Sequence, residues 1–479
     1  MYSWRGADIR NILNFEQGFD DATVIKLEQN YRSTQNILEA ANCVIKNNYG
    51  RKNKVLWTSQ NAGEKIKYYR ATDEKDESNY IVNQIANMTS NGDVNYSECA
   101  ILYRTNAQSR VVEDSLMRNR IPYKIYGGLK FYERKEIKDT IAYLRLIQNP
   151  VDNVSLKRVI NVPKRGIGAK TIEKIEDRAN LTDESVFNVL LDDEFIQGFS
   201  KKVSTGLKDF ASIITKYRKL KEEISISEII ENVFEESGYI DELKNEDTVE
   251  SQSRIENLRE LLSVANEFEK NSETGTLEEF LENIALTSPL DKMEDEENHV
   301  TLMTLHSAKG LEFPIVFLAG LEEGIFPIKR ALNSDQDLEE ERRLCYVGIT
   351  RAEKILFLTH ARMRMLYGKT NYNPISRFID EIAGELVDRD KEAIRKRDMQ
   401  ALAPSVGIYR GSSINQAPKE SKPASKENVT PGRKIMHDKF GIGTIIAAKN
   451  KGEDTELTIA FDNSGIKKLM LGFAPIKVM

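Results

Sequence analysis

Val300-Thr301-Leu302-Met303-Thr304-Leu305-His306-Ser307-Ala308-Lys309-Gly310-Leu311-Glu312-Phe313-Pro314-Ile315-Val316-Phe317-Leu318 places two short apolar runs, Val300 to Leu305 and Ile315 to Leu318, on either side of a polar turn. Runs this short, rich in β-branched residues and bounded by turn signals, read as buried strands. The same grammar occurs at Thr23 to Leu27, Ala100 to Tyr103 and Ile355 to Leu358. After Thr23 to Leu27 comes a polar break, Gln29-Asn30-Tyr31-Arg32. Ile37, Leu38, Ala41, Val44 and Ile45 then recur at helical spacing, with Ser33 or Thr34 placed to cap the helix. Short apolar strands alternating with helices predict an α/β fold whose parallel sheet is covered on both faces.

The chain has 479 residues, and at roughly 150 residues per domain it holds about three units. Its 69 Lys and Arg against 75 Asp and Glu leave a net charge of -6, so any nucleic-acid surface is local rather than global. Cys43, Cys99 and Cys345 are far apart and odd in number, which excludes a disulfide framework and a cysteine metal site and fits a reducing cytoplasm. No apolar run approaches the roughly 18 residues needed to cross a bilayer, and no secretory h-region opens the sequence.

Between about 125 and 292 the pattern changes to long amphipathic helices, such as Ser253 to Phe268, with few strand signals. Strand-like runs then resume, so the simplest organisation is one sheet domain interrupted by a helical insertion. A helix-rich stretch from about 376 to 400 leads into Ala401 to Thr430, rich in Ser, Pro, Lys and Asn, which reads as a flexible linker. Beyond it, Lys434 to Met436, Gly443 to Ala447, Glu456 to Phe461 and Lys467 to Leu471 are short strands separated by turns, which predicts a small β-barrel.

Tyr31 and Arg32 follow a predicted strand and precede a helix, a place where α/β sheets bind ligands. An aromatic face and a guanidinium suit a nucleotide, although in isolation such a pair is more often a plain exposed loop. The quoted stretch is read as adding His306, Lys309 and Glu312 at the same end of the sheet. Glu339 to Glu353 reads as a charge-rich helix that turns Arg351 toward the sheet edge and its Glu residues toward water. In the insertion, Val162-Pro163-Lys164-Arg165-Gly166-Ile167-Gly168-Ala169-Lys170-Thr171 pairs two glycines with Lys164, Arg165 and Lys170. That composition suits a sequence-independent duplex contact at a helix N-terminus. It is not a phosphate-binding loop, because Ala169 separates Gly168 from Lys170 and no strand precedes it.

These segments resemble the UvrD/Rep/PcrA family of superfamily 1 DNA helicases, and within it the PcrA branch. The resemblance runs from Tyr2-Ser3-Trp4-Arg5-Gly6-Ala7 through Leu27 to Ser33, Tyr103 to Arg110 and Gly127 to Asp139 to the two motifs around Glu312 and Arg351. It covers nearly the whole chain, in motif order.

It implies a remnant of a first RecA-like domain at 1–22, a second RecA-like domain at 23–124 and 293–390, and an all-helical insertion at 125–292. A linker at 391–430 and a Tudor/SH3-like barrel at 431–479 complete this organisation. It further implies an ATP-dependent 3′–5′ DNA helicase of repair or replication, working as monomer or dimer. In that reading Tyr31 stacks adenine, Glu312 holds ribose, Lys309 lines the nucleotide cleft, and Arg32 and Arg351 reach the γ-phosphate. Tyr2, Trp4 and Tyr367 offer faces to single-stranded DNA, and Arg5, Arg104, Asn106 and His306 hold its strand. Lys164, Arg165, Gly166 and Gly168 meet the duplex junction, and the barrel contacts RNA polymerase. No metal ligand is assigned. The G-x-x-x-x-G-K-[ST] loop and the acidic pair for Mg2+ are absent from the sequence, so the chain is expected to be N-terminally truncated and inactive alone. A stand-alone DNA-binding or polymerase-docking module is the alternative.

Overall fold

The computed structural model describes residues 23–49, 54–272, 274–287 and 298–389. In the C-terminal part it describes 433–437, 441–451, 454–461, 465–470 and 476–478. Backbone contacts divide the chain into Met1–Asp398 and Met399–Met479. Tyr2, Trp4, Arg5 and the 391–430 stretch lie outside the described residues.

The first unit is built on β1 (Ile66–Ala71), β2 (Cys99–Tyr103), β3 (Tyr123–Ile125), β4 (Val300–Thr304), β5 (Phe313–Leu318) and β6 (Ala352–Ala361). A small hairpin, β7 (Arg364–Leu366) and β8 (Lys369–Asn371), follows, and then β9 (Val387–Arg389). Apart from the hairpin they form one sheet in the order β3-β4-β2-β5-β6-β1-β9, parallel throughout. The period-2 alternation of strands divides the core between the faces. Ala100, Leu102, Val316 and Leu318 pack with Ile37, Ala41 and Val44 of helix Gln35–Ile45 and with Leu344 and Ile349 of helix Asp335–Ile349. Ile101, Tyr103, Ile315 and Phe317 pack on the other face with Ile81, Val82 and Ile85 of helix Glu74–Ser90. Phe317 and Phe357 stack there at 4.4 Å between centroids. At roughly 25 cal/mol per Å² of apolar surface, burial on two faces supplies the main stabilising term of this layer.

Two expectations are corrected and a third is refined. Thr23 to Leu27 is not a strand: Val24, Ile25 and Leu27 are exposed, and the only pairing nearby is a bridge from Gln29 to Trp57. A strand needs a neighbouring edge to bond with, and among the described residues this segment has none. Over its described residues, 376–389, the stretch expected to be helix-rich from about 376 to 400 is not so, and the remainder lies outside the described residues. Those residues hold a short α-helix, Arg377–Asp380, a 3-10 turn, Gly384–Leu386, and then β9, which is drawn into the sheet edge by pairing Val387 with Ile66. The helix at Gln35 has Thr34 as its N-cap residue without a side-chain cap bond, while Ser33 Oγ donates to Ala352 O at 2.7 Å.

Gly348 shows how closely helix Asp335–Ile349 rests on the sheet. A Cβ there would lie 2.5 Å from Leu305 Cδ2 and 3.0 Å from Leu318 Cδ2.

The insertion runs from helix Lys135–Gln148 to helix Leu277–Thr287 around its own apolar core, which includes Tyr143, Phe210, Ile230 and Leu258. Its longest helix, Val249–Asn271, turns a polar face to the sheet domain. Glu260 meets the buried Arg110 at 3.0 Å, Glu267 meets Lys75 at 2.6 Å, and Asn257 accepts from Arg134 at 2.8 Å. The turn of the β7–β8 hairpin sits on the same face. Tyr367 N donates to Glu260 Oε2 at 3.2 Å, Gly368 N donates to Ser263 Oγ at 2.9 Å, and Asn266 Nδ2 donates to Gly368 O at 3.3 Å. Gly368 has φ +74°, and a Cβ on it would stand 3.1 Å from Leu262 Cβ, so only glycine fits without displacement.

The second unit is a five-stranded antiparallel sheet in the order β13-β12-β11-β10-β14. Its strands are β10 (Lys434–His437), β11 (Gly441–Lys451), β12 (Asp454–Phe461), β13 (Gly465–Met470) and β14 (Ile476–Val478). The sequence reading had four of these and missed β14, three residues long, which pairs with β10. Ile435, Ile445, Leu457, Ile459 and Phe461 are buried, and the His437 ring meets Phe461 edge-on.

Gly348→Ala is expected to lower stability by about 1–3 kcal/mol through overpacking. Gly384→Ala, which meets nothing within 4 Å, should stay within about 0.5 kcal/mol of the parent. Chemical denaturation followed by circular dichroism checks both.

Candidate functional site

In a parallel sheet every connection returns the chain to the starting end, so residues just before strands gather at one end and residues just after strands at the other. This separates the predicted site residues into two groups. Phe313 pairs with Ala352 at the amino-terminal ends of β5 and β6, which sets Glu312 and Arg351, the residues immediately preceding them, side by side. Phe313 N also donates to Arg351 O at 3.0 Å. Arg32 reaches the same place: its Nε bonds and ion-pairs with Glu312, and its Nη1 lies 3.3 Å from Thr350 O. Asn30 Oδ1 accepts from the backbone of Arg32 and Ser33, both at 2.9 Å, and Gln60 Nε2 donates to Tyr31 O at 2.6 Å. The loop is therefore pinned from both sides while the Tyr31 ring is 73% exposed.

Arg351 is the more enclosed cation. Its Nη1 donates to Leu311 O at 2.7 Å and its Nε to Val347 O at 3.1 Å. Burial, and then the like charge of Arg32, pull its pKa down to about 10, against the raising effect of Glu312. It stays protonated at neutral pH, but the two guanidiniums repel, and an anion between them relieves that cost. Lys309 is exposed on the same loop.

Arg104, Asn106 and His306 lie at the opposite, carboxyl-terminal end, directly after β2 and β4. The expectation that His306, Lys309 and Glu312 share one end of the sheet is thus corrected: residues 305–312 cross from the end of β4 to the start of β5. Nor does Arg32 lie past a strand's carboxyl end; it sits before β5 and β6. Arg104 spends its fork on Glu341, at 2.8 to 3.2 Å, with both side chains nearly enclosed. Burial and the Arg104 charge hold the His306 pKa down at about 4, so its ring is neutral at pH 7 and offers hydrogen bonds rather than charge. Tyr367 has φ +58° at the hairpin turn, and its hydroxyl faces Glu256 and Thr105.

In the insertion, Gly168 is the N-cap residue of helix Ala169–Thr182, and Lys164, Gly166, Gly168 and Lys170 are exposed. Arg165 is not a surface cation. Its Nη1 donates to the carbonyls of Val159, Ile160, Val162 and Pro163, and its Nη2 to Tyr143 Oη at 2.8 Å, so it holds the turn closed.

The family described as the UvrD-like helicase C-terminal domain matches residues 25–363, which hold both ends of this sheet and the insertion. The chain belongs to that family. The PcrA/UvrD tudor domain matches residues 432–477. The ATP-dependent DNA helicase PcrA of Bacillus subtilis is 47% identical, over 100% of this chain and 65% of that protein. Those of Staphylococcus epidermidis and Staphylococcus aureus are 48% and 46% identical, over 99% and 100% of this chain and again 65% of theirs. The chain therefore spans about 65% of the length of these relatives.

Two residues of this UvrD-like domain escaped the sequence reading. Glu341 was expected to face water with its neighbours, yet it is buried against Arg104. Its spacing from Leu344, Cys345 and Gly348, all buried on one helical face, carries that signal. Glu256, which faces Tyr367 from the insertion, has no local signal at all. Among the described residues no cluster of three or more metal-ligating side chains occurs, and no helix is long and apolar enough to cross a membrane.

His306 and His360 both have pKa values pulled down to about 4, chiefly by burial, against 6.5 unfolded. Below 6.5 the unfolded chain gains protons that these rings refuse, so stability is present above that pH and lost as pH falls from 6.5 toward 4. His306→Asn is expected to flatten this loss, read as the slope of Tm against pH.

Proposed function

We propose that this chain is the DNA- and phosphate-sensing part of an ATP-dependent 3′–5′ DNA helicase. The convergence of Arg32, Glu312 and Arg351 at one end of the sheet carries the reading. Two guanidiniums beside one carboxylate, next to an exposed Tyr31, suit a nucleotide whose base stacks on the ring, whose ribose bonds to Glu312 and whose terminal phosphate meets the arginines. ATP supplies the driving chemistry when bound, and these residues orient it and offset the charge that develops on the transferred phosphoryl group. The phosphate-binding loop and the Mg2+ ligands are assigned to a segment that the 479 residues do not contain.

At the other end of the sheet, single-stranded DNA runs past Asn106, His306 and Tyr367. A base stacks on the tyrosine, worth roughly 1–3 kcal/mol, and Arg104 acts by positioning the loop while held by Glu341. Tyr2, Trp4 and Arg5 are assigned to contacts with the same DNA strand. Lys164, Lys170 and the exposed Gly166–Gly168 turn take the duplex side, with Arg165 as its brace. The C-terminal sheet serves as a docking module for RNA polymerase.

The chain alone is expected to show no ATP turnover above buffer in a coupled-enzyme assay, with or without single-stranded DNA; robust DNA-stimulated hydrolysis overturns the division of labour. In a protein joining this chain to the segment its relatives carry, Arg351→Ala should cut turnover by about 10³ or more. Nucleotide affinity should change little. An unchanged rate removes Arg351 from the reaction.

A further inference from the structure

The hairpin that carries Tyr367 is held by two different parts of the fold. At its base the sheet domain grips it: the buried Arg364 guanidinium bonds Glu322 and Glu77, and Met365 N donates to Glu74 Oε2 at 3.0 Å. Beyond that point it is a two-stranded sheet of three residues a side, with β8 exposed along its length. A hairpin of that size is marginal by itself. Leu366 pairs with Lys369, so Tyr367 and Gly368 alone make the turn, with φ +58° and +74°. Two-residue turns with both φ values positive favour Asn-Gly, and a tyrosine in the first place is strained and persists only where its surroundings hold it. Neither central amide of such a turn has a partner within the hairpin, so each needs one from elsewhere. Both find it on the insertion helix Val249–Asn271. Tyr367 N donates to Glu260 Oε2 at 3.2 Å and Gly368 N to Ser263 Oγ at 2.9 Å, while Asn266 Nδ2 donates to Gly368 O at 3.3 Å. Ser263 Oγ in turn donates to Glu260 Oε2 at 3.2 Å, which closes the set.

We infer that Ser263 and Asn266 of the insertion are positioning residues for single-stranded DNA: they hold the strained turn that aims the Tyr367 ring at a base. This rests on the reading of Tyr367 as a base-stacking residue. Neither side chain touches the strand, and each acts through the backbone of the turn. The stacking face of the sheet domain therefore stands in its working position only while the insertion helix is seated on the hairpin. Glu260 shares the task, but it also pairs with the buried Arg110, so replacing it would leave that charge alone. The neutral pair isolates the positioning role.

The test titrates a short oligothymidylate carrying one 2-aminopurine, whose fluorescence falls as the base stacks, with the 479-residue chain and its variants. These are Tyr367→Ala; Ser263→Ala and Asn266→Ala, singly and together; the same pair combined with Tyr367→Ala; and Lys75→Met. The last breaks the Lys75–Glu267 bond between the same helix and the sheet domain without touching the turn. Circular dichroism confirms that each is folded. Tyr367→Ala is expected to weaken binding by about tenfold, the loss of one stacked base. The Ser263 and Asn266 variants should weaken it several-fold and lose most of the fluorescence change. The slope of log K against log salt should stay as in the parent, because no phosphate contact is lost. Once Tyr367 is alanine the same pair should have no further effect, since residues acting through one ring are not additive. Lys75→Met should match the parent. Undiminished affinity and fluorescence change in the folded Ser263 and Asn266 variants overturn the inference. So does an equal loss from the pair when Tyr367 is already alanine, or an equal loss from Lys75→Met; in each case the difference between the parent and Tyr367→Ala leaves the DNA reading standing. If Tyr367→Ala binds as the parent does, or if no protein in the set binds, the DNA reading of Tyr367 fails and the inference falls with it.

Discussion

The pairing of Phe313 with Ala352 is the constraint on which the site depends. Two parallel strands in that register leave Glu312 and Arg351 adjacent before either side chain makes a bond, and Arg32 needs only to close the third corner. From Ile315 onward the register is fixed by burial, with Phe317 opposite Phe357 on the face where they stack, and an irregularity between Phe313 and Ile315 shifts the pairing by one residue so that Phe313 meets Ala352. The arrangement of charges at the sheet's amino-terminal end thus depends on that one-residue shift as well as on the apolar packing beyond it. The ion pair itself is partly exposed and screened, and contributes geometry more than stability.

The insertion is attached by a different kind of contact. Its own helices enclose an apolar core, but the face that meets the sheet domain is polar: Asn257, Glu260, Ser263, Asn266 and Glu267 bond to Arg134, Arg110, Lys75 and the hairpin turn. Each bond needs a particular partner at a particular distance, so the contact is selective in orientation. Arg110, tied to Glu260, Asp114 and Glu267, leaves costly unpaired charge if any one orientation is lost.

Much of this was legible in the sequence. Short apolar runs identified β2, β4, β5 and β6, and the motif residues around Arg32, Glu312 and Arg351 identified the family. What the sequence concealed were relations at long range. Ile66–Ala71 carries tyrosines and charges that mask its strand period, and β3 and β9 are three residues long, strands only because an edge was there to receive them. The assignment of His306 and Glu312 to one end failed because a loop's two ends look equally close in sequence while the sheet holds them a strand length apart. Arg104 and Arg165 were expected at DNA because a guanidinium announces its charge, whereas the Glu341 partner of Arg104 and the carbonyl partners of Arg165 are not announced by the motifs that carry them. Thr23 to Leu27 has the composition of a strand and lacks a neighbour.

Helix Asp335–Ile349, resting on the sheet at Gly348, carries Glu341 near one end of the sheet and delivers the chain to Arg351 at the other. Ten residues separate these two side chains, about 15 Å of continuous helix and turn. No loop intervenes to absorb a displacement. The helix is therefore a stiff connecting rod between the end of the sheet that holds Arg104 and the end that holds Arg351. With its close contact to the sheet at Gly348, the helix holds the spacing between the two ends.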